Sequence, residues 1–147
     1  MFIYVLVILL GLLPFAVGSG LNFLLLECDT FSSYWSINIG ALLLWALIAY
    51  VFRVFVKSTP RVVILLNSIA FVVLLLVGIQ ELVFHAYWLN IVGAWSQFYF
   101  LPFIQLGFAL SSGWTGNVFV SYCIAFLSMI GASVVGCLIR GNRKHVH

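Results

Sequence analysis

Glu81 and His85, one helical turn apart, are the two residues of this 147-residue chain best spaced to act together. Residues at i and i+4 share a helix face, so the pair could share a proton or a hydrogen bond. Ionisable residues inside an apolar run are functional candidates by default. Depth weakens the case, because at 1.5 Å per residue Glu81 lies about 30 Å from Arg61, at the outer boundary of its run. The plain reading is a polar end to a span, and the sharper one is a contact that lines a pore or binds an outer partner. The cysteines Cys28, Cys123 and Cys137 show no metal-ligand or redox spacing, and read as small apolar groups. His145 and His147 lack a third ligand, so no metal site is expected. The chain has no Ser-His-Asp constellation, HExxH pair or phosphate loop. The expectation is a protein that is not an enzyme and holds no cofactor.

Polar residues of a second kind suit helix contacts. Asn22, Asn38 and Asn67 fall near span ends, where an amide more often satisfies a neighbouring helix than an ion. Gln97 and Gln105 should face protein or water, because amides are costly in lipid. Ser121, Ala125, Ser128, Ala132 and Gly136 form a stripe of small residues spaced by fours and a three. Such a stripe lets helix backbones approach closely, either within the chain or between copies of it. On this reading, replacing Gly136 with Leu impairs assembly and leaves topology intact.

The elements that position these residues follow from composition. Hydrophobic residues make up 65% of the chain and charged residues 6%, with a mean hydropathy of +1.27. So few charges cannot wet the surface of a soluble domain, whereas a span needs only about 20 apolar residues. Apolar runs cover about residues 2–26, 34–56, 62–84 and 118–139, which predicts an all-α integral membrane protein of four spans forming one domain, 1–147. The first run lacks a basic leader region, so it is expected to serve as a span with a kink near Pro14. Pro60 marks a sharp break between the second and third runs.

All six basic residues fall in two places: Arg53, Lys57 and Arg61 after the second run, and Arg140, Arg143 and Lys144 after the last. Cytoplasmic segments carry excess Lys and Arg. Four crossings put both clusters on one side and the acidic Glu27–Asp29 loop on the other, so both ends are expected to be cytoplasmic. Three or five crossings would separate the clusters. Residues 85–117 carry no Lys, Arg, Asp or Glu, yet hold nine aromatics together with Pro102 and several glycines. Trp and Tyr favour the headgroup level, which suggests an interfacial or re-entrant segment on the outer face.

In size, four-span layout, acidic outer turn and basic inner tail, the chain resembles the KwaA membrane-subunit family of the bacterial Kiwa antiphage system. The resemblance covers the whole chain and rests on layout. It implies an inner-membrane subunit that self-assembles, holds a soluble cytoplasmic partner that binds nucleic acid, and responds to events at the envelope. The chain itself is not expected to touch nucleic acid. The residues alone point the same way, to a membrane scaffold or sensor whose basic clusters face anionic lipid or an acidic partner. A toxin or bacteriocin immunity protein and a small channel or transporter are the alternatives.

Overall fold

The computed structural model describes residues 2–27, 34–86, 90–111 and 118–142. Among the described residues the chain is entirely helical, with six α-helices: α1 Phe2–Glu27, α2 Tyr34–Phe52, α3 Thr59–Gly78, α4 Ile91–Phe100, α5 Ile104–Ser111 and α6 Val118–Asn142. A π-helical turn, Ile79–Val83, continues α3. Four of these helices are long and apolar enough to cross a membrane: α1, α2, α3 with its π turn, and α6. Their outward faces carry Leu9, Leu43, Ile64, Val72 and Leu127, all more than half exposed, so the helices are apolar all round. That pattern suits a lipid solvent and not water.

The boundaries of α2 and α3 differ from the apolar runs. Helix α2 stops at Phe52 instead of residue 56, and Arg53–Phe55 form a turn in which Val54 N–H donates to Val51 O (2.9 Å) and Phe55 N–H to Phe52 O (3.0 Å). Helix α3 starts at Thr59 instead of residue 62, because Pro60 sits in the first turn, where a missing N–H breaks no helical bond. Hydropathy alone could not separate these cases, since Val54, Phe55 and Val56 are apolar whether helical or not. Helix α1 runs without interruption through Pro14.

Helix α6 packs against α2, α3 and α5, while α1 packs against α3 and α4 and has little direct contact with α2. The long helices alternate in direction. At one end the start of α1 lies beside the end of α2, with Leu6 and Leu10 facing Val51 and Phe55. At the other end Glu81 Oε1 accepts a hydrogen bond from Phe119 N–H (3.1 Å), joining the end of α3 to the start of α6.

That last contact decides the course of the segment between them. The end of α3 and the start of α6 therefore lie at the same end of the bundle. Helices α4 and α5, of 10 and 8 residues, are each too short to cross a roughly 30 Å apolar layer. They form an open hairpin that enters the bundle and returns, with α4 against α1 and α5 against α6. The Tyr99 hydroxyl donates to Gly11 O (3.0 Å), and the Phe103 ring lies 6.3 Å from Trp45, both contacts in the interior of long helices. Glycines make the fit: a Cβ on Gly18 would run into the Phe98 carbonyl, and one on Gly107 into the Ser121 carbonyl. The headgroup preference of aromatics therefore does not describe the heart of this segment. Tyr99, Phe100 and Phe103 are core residues, whereas Trp95 and Phe108 remain exposed. Tyr87, Trp88 and Trp114 lie outside the described residues.

Candidate functional site

The hairpin raises a backbone problem that particular side chains solve. A helix that ends inside an apolar bundle leaves carbonyls without partners, and each must be satisfied there. Pro102 cannot continue α4, and the chain tightens through Leu101 N–H to Phe98 O (3.1 Å) and Phe103 N–H to Phe100 O (2.8 Å). The Pro102 carbonyl is taken by Asn38 Nδ2 from α2 at 3.1 Å. At the other end of α4, the Asn90 side chain caps the helix by accepting from Gly93 N–H (2.8 Å). Gln80, fully buried in the π turn, donates to Ser96 Oγ (2.9 Å), and Ser96 donates to Gly93 O (2.7 Å). The π turn adds a residue to the α3 register at this point, where Gln80 faces α4 and Glu81 faces α6.

A second polar group ties the long helices together nearer the other end. Trp45 Nε1 donates to Asn67 Oδ1 (3.3 Å), Asn67 Nδ2 donates to Ser133 Oγ (3.0 Å), and Ser133 donates to Met129 O (2.9 Å). Asn38 and Asn67 thus satisfy neighbouring segments, as expected of amides in apolar helices. Gln97 and Gln105, expected to face protein or water, are half-buried, and Gln80 and Ser96 join the end of α3 to α4. Trp45, Ser96 and Ser133 were not legible as partners, because each finds its mate on a helix distant in sequence.

Glu81 lies within the π turn and His85 just beyond it. The π turn breaks the i, i+4 register, and His85 is exposed in the left-handed region at φ 49°. Glu81 instead places a carboxylate oxygen on a first-turn amide of α6, where the helix dipole favours negative charge. Its role is that of a cap supplied by another helix. Glu81→Ala should lower the unfolding free energy by about 1 kcal/mol, while Glu81→Gln, which keeps an acceptor, should lose roughly half of that. Thermal unfolding in detergent reads both, and an unshifted Glu81→Ala variant would discard the cap.

The small-residue stripe of α6 is largely engaged within the chain. Ser121 Oγ lies 2.7 Å from Ser111 Oγ on α5, Ala125 is buried, and Gly136 presses on the backbone of Ala46 in α2. Ser128 and Ala132 are half-buried. The outward face of α6 is formed instead by Leu127, Gly131, Val135 and Leu138.

The described cationic residues converge on one end. Arg53, Lys57 and Arg61 lie at the α2–α3 turn, and the Arg140 guanidinium lies 5.0 Å over the Tyr50 ring, so the end of α6 reaches the same place. Arg53 Nη1 donates to Val56 O (3.0 Å) and stiffens the turn. Lys57 and Arg61 are exposed. Arg143 and Lys144 lie outside the described residues, as do Cys28, His145 and His147. Among the described residues no group of three His, Cys, Asp or Glu side chains is placed to hold a metal ion.

Comparison with protein-family models, with curated proteins and with solved structures found no match to this chain.

Proposed function

We propose that the chain is a non-enzymatic scaffold or sensor subunit of a bacterial inner membrane, with both ends in the cytoplasm. It self-assembles through its apolar outer faces and anchors a soluble partner at its cationic end. The observation that carries this reading is the gathering of Arg53, Lys57, Arg61 and Arg140 at one end of an otherwise apolar bundle. Cytoplasmic segments are the ones enriched in such residues. A cationic surface of this kind attracts an acidic face on a soluble protein. The buried amides and hydroxyls are engaged in joining helices to one another and to the hairpin, which suits a rigid support. In the bilayer, α4 and α5 form a re-entrant hairpin open to the outer side. That places a packed element where an envelope event could press on it. A role in antiphage defence agrees with the layout-level resemblance to the Kiwa membrane subunits.

The test is the mass of the intact complex purified from its native membrane in mild detergent. The expected result is a homo-oligomer carrying a soluble protein that is released at raised salt, because exposed charge pairs are screened. A bare monomer would remove the scaffold reading and bring immunity or small-transporter function forward.

A further inference from the structure

A groove of about 810 Å³ opens at the α2–α3 turn, with Lys57 and Arg61 on an apolar wall that includes Phe55, Ile64 and Leu65. Phe55 also lines a second, wholly apolar crevice of about 400 Å³ between α1 and α2, with Leu6, Leu10, Leu47 and Val51. The crevice exists because α1 packs on α3 and α4 and leaves α2 largely untouched. About one turn further along α1 and α2 a separate opening of about 130 Å³ is lined by Leu13, Pro14, Ile37 and Leu44, with Phe103 of the hairpin. Together the two α1–α2 openings run along α2 from Phe52 to Leu44, eight residues of helix or about 12 Å, a large part of the length of a lipid acyl chain.

We infer that this gap binds one anionic phospholipid, with its phosphate between Lys57 and Arg61 and an acyl chain along the α1–α2 crevice. Charge selects the headgroup. Two exposed cations meet at the mouth, and among the described side chains the acidic Glu81 lies at the opposite end of the bundle. Apolar lining selects the tail, because the crevice offers a hydrocarbon chain no polar partner and no backbone to satisfy. A free phosphate or an acidic soluble protein would use only the mouth and leave the apolar crevice empty. The inference rests on the membrane reading above and not on the scaffold reading.

Native mass spectrometry of the full-length protein, titrated with phosphatidylglycerol or phosphatidylcholine of identical chains, tests it. The expected result is one phosphatidylglycerol per protomer, retained about 25-fold better than phosphatidylcholine, the product of roughly fivefold for each cation. The double substitution Lys57→Gln and Arg61→Gln should bring the two lipids within about twofold of each other. Arg140→Gln, at the same end but outside the groove, should leave the preference unchanged. Soluble glycerol phosphate at equal concentration should displace nothing. Equal retention of both lipids in the parent would overturn the site. So would a preference that survives the double substitution or falls equally with Arg140→Gln, since that describes diffuse surface charge. Leu47→Trp should fill the crevice and weaken lipid retention. Conversion of an oligomer to monomer by this variant, without effect on lipid, would identify the crevice as a protein interface and overturn the site. Oligomeric mass is read in the same spectra, so failure of the scaffold reading and failure of the lipid site are separate results.

Discussion

Gly136→Leu should lower the stability of the detergent-solubilised protein by about 3 kcal/mol, near the upper end for overpacking a tight contact. A Cβ at this position would meet the Ala46 carbonyl oxygen and lie 3.1 Å from the Tyr50 amide nitrogen. Both are backbone atoms of α2, so no rotamer change relieves the clash and the two helices must separate. Helix α6 packs extensively on α2, so the loss spreads beyond one residue. Gly131→Leu on the same helix provides the control, because a Cβ there meets nothing within 4 Å. It should stay within roughly 0.5 kcal/mol of the parent, as exposed substitutions do. Unfolding midpoints in a denaturing-detergent titration would show the difference. A Gly136→Leu protein with the parent's midpoint and a reduced native mass would mean that this face meets another copy and not α2.

Trp45→Ala should be the most damaging truncation, costing about 4 kcal/mol, within the usual range for a buried tryptophan. Trp45 is 1% exposed and joins three elements: its own helix α2, Asn67 of α3 through the indole N–H, and Phe103 of the hairpin through an edge-on ring contact. Removing the ring would open a void beside the hairpin turn and leave Asn67 Oδ1 without the indole N–H. Trp45→Phe separates the terms. It keeps most of the volume and loses the hydrogen bond, and should cost about 1 kcal/mol. Thermal unfolding of the two variants side by side reads the ratio. If Trp45→Ala cost no more than Trp45→Phe, the ring would not be packing against the hairpin.

Much of this architecture was legible in the order of the residues. Four apolar runs of helical length, with charge swept to their ends, imply four long helices whatever the details of packing, because length and hydropathy are properties of a segment alone. The gathering of basic residues at one end follows from the same arithmetic, since an even number of crossings returns the chain to its starting side. Asn38 and Asn67 were recognisable as helix-joining amides, because an amide in an apolar run needs a partner.

What only the tertiary structure decided is which partner each residue meets. The 85–117 segment was readable as interfacial or re-entrant, with no choice between the two, because aromatic residues suit a headgroup layer and a protein interior equally well. The choice turned on Gly18 and Gly107, which let α4 and α5 approach α1 and α6, and on Asn38, which satisfies the carbonyl at the turn. The spacing of Glu81 and His85 implied a shared helix face. The π turn that holds Glu81 broke that register, and Glu81 caps α6. The small residues of α6 implied a close neighbour without naming it, and the neighbours of Ser121 and Gly136 are α5 and α2 of the same chain. Hydropathy and spacing describe one helix at a time. Close backbone approach and buried hydrogen bonds depend on two segments far apart in the chain, and packing alone brings them together.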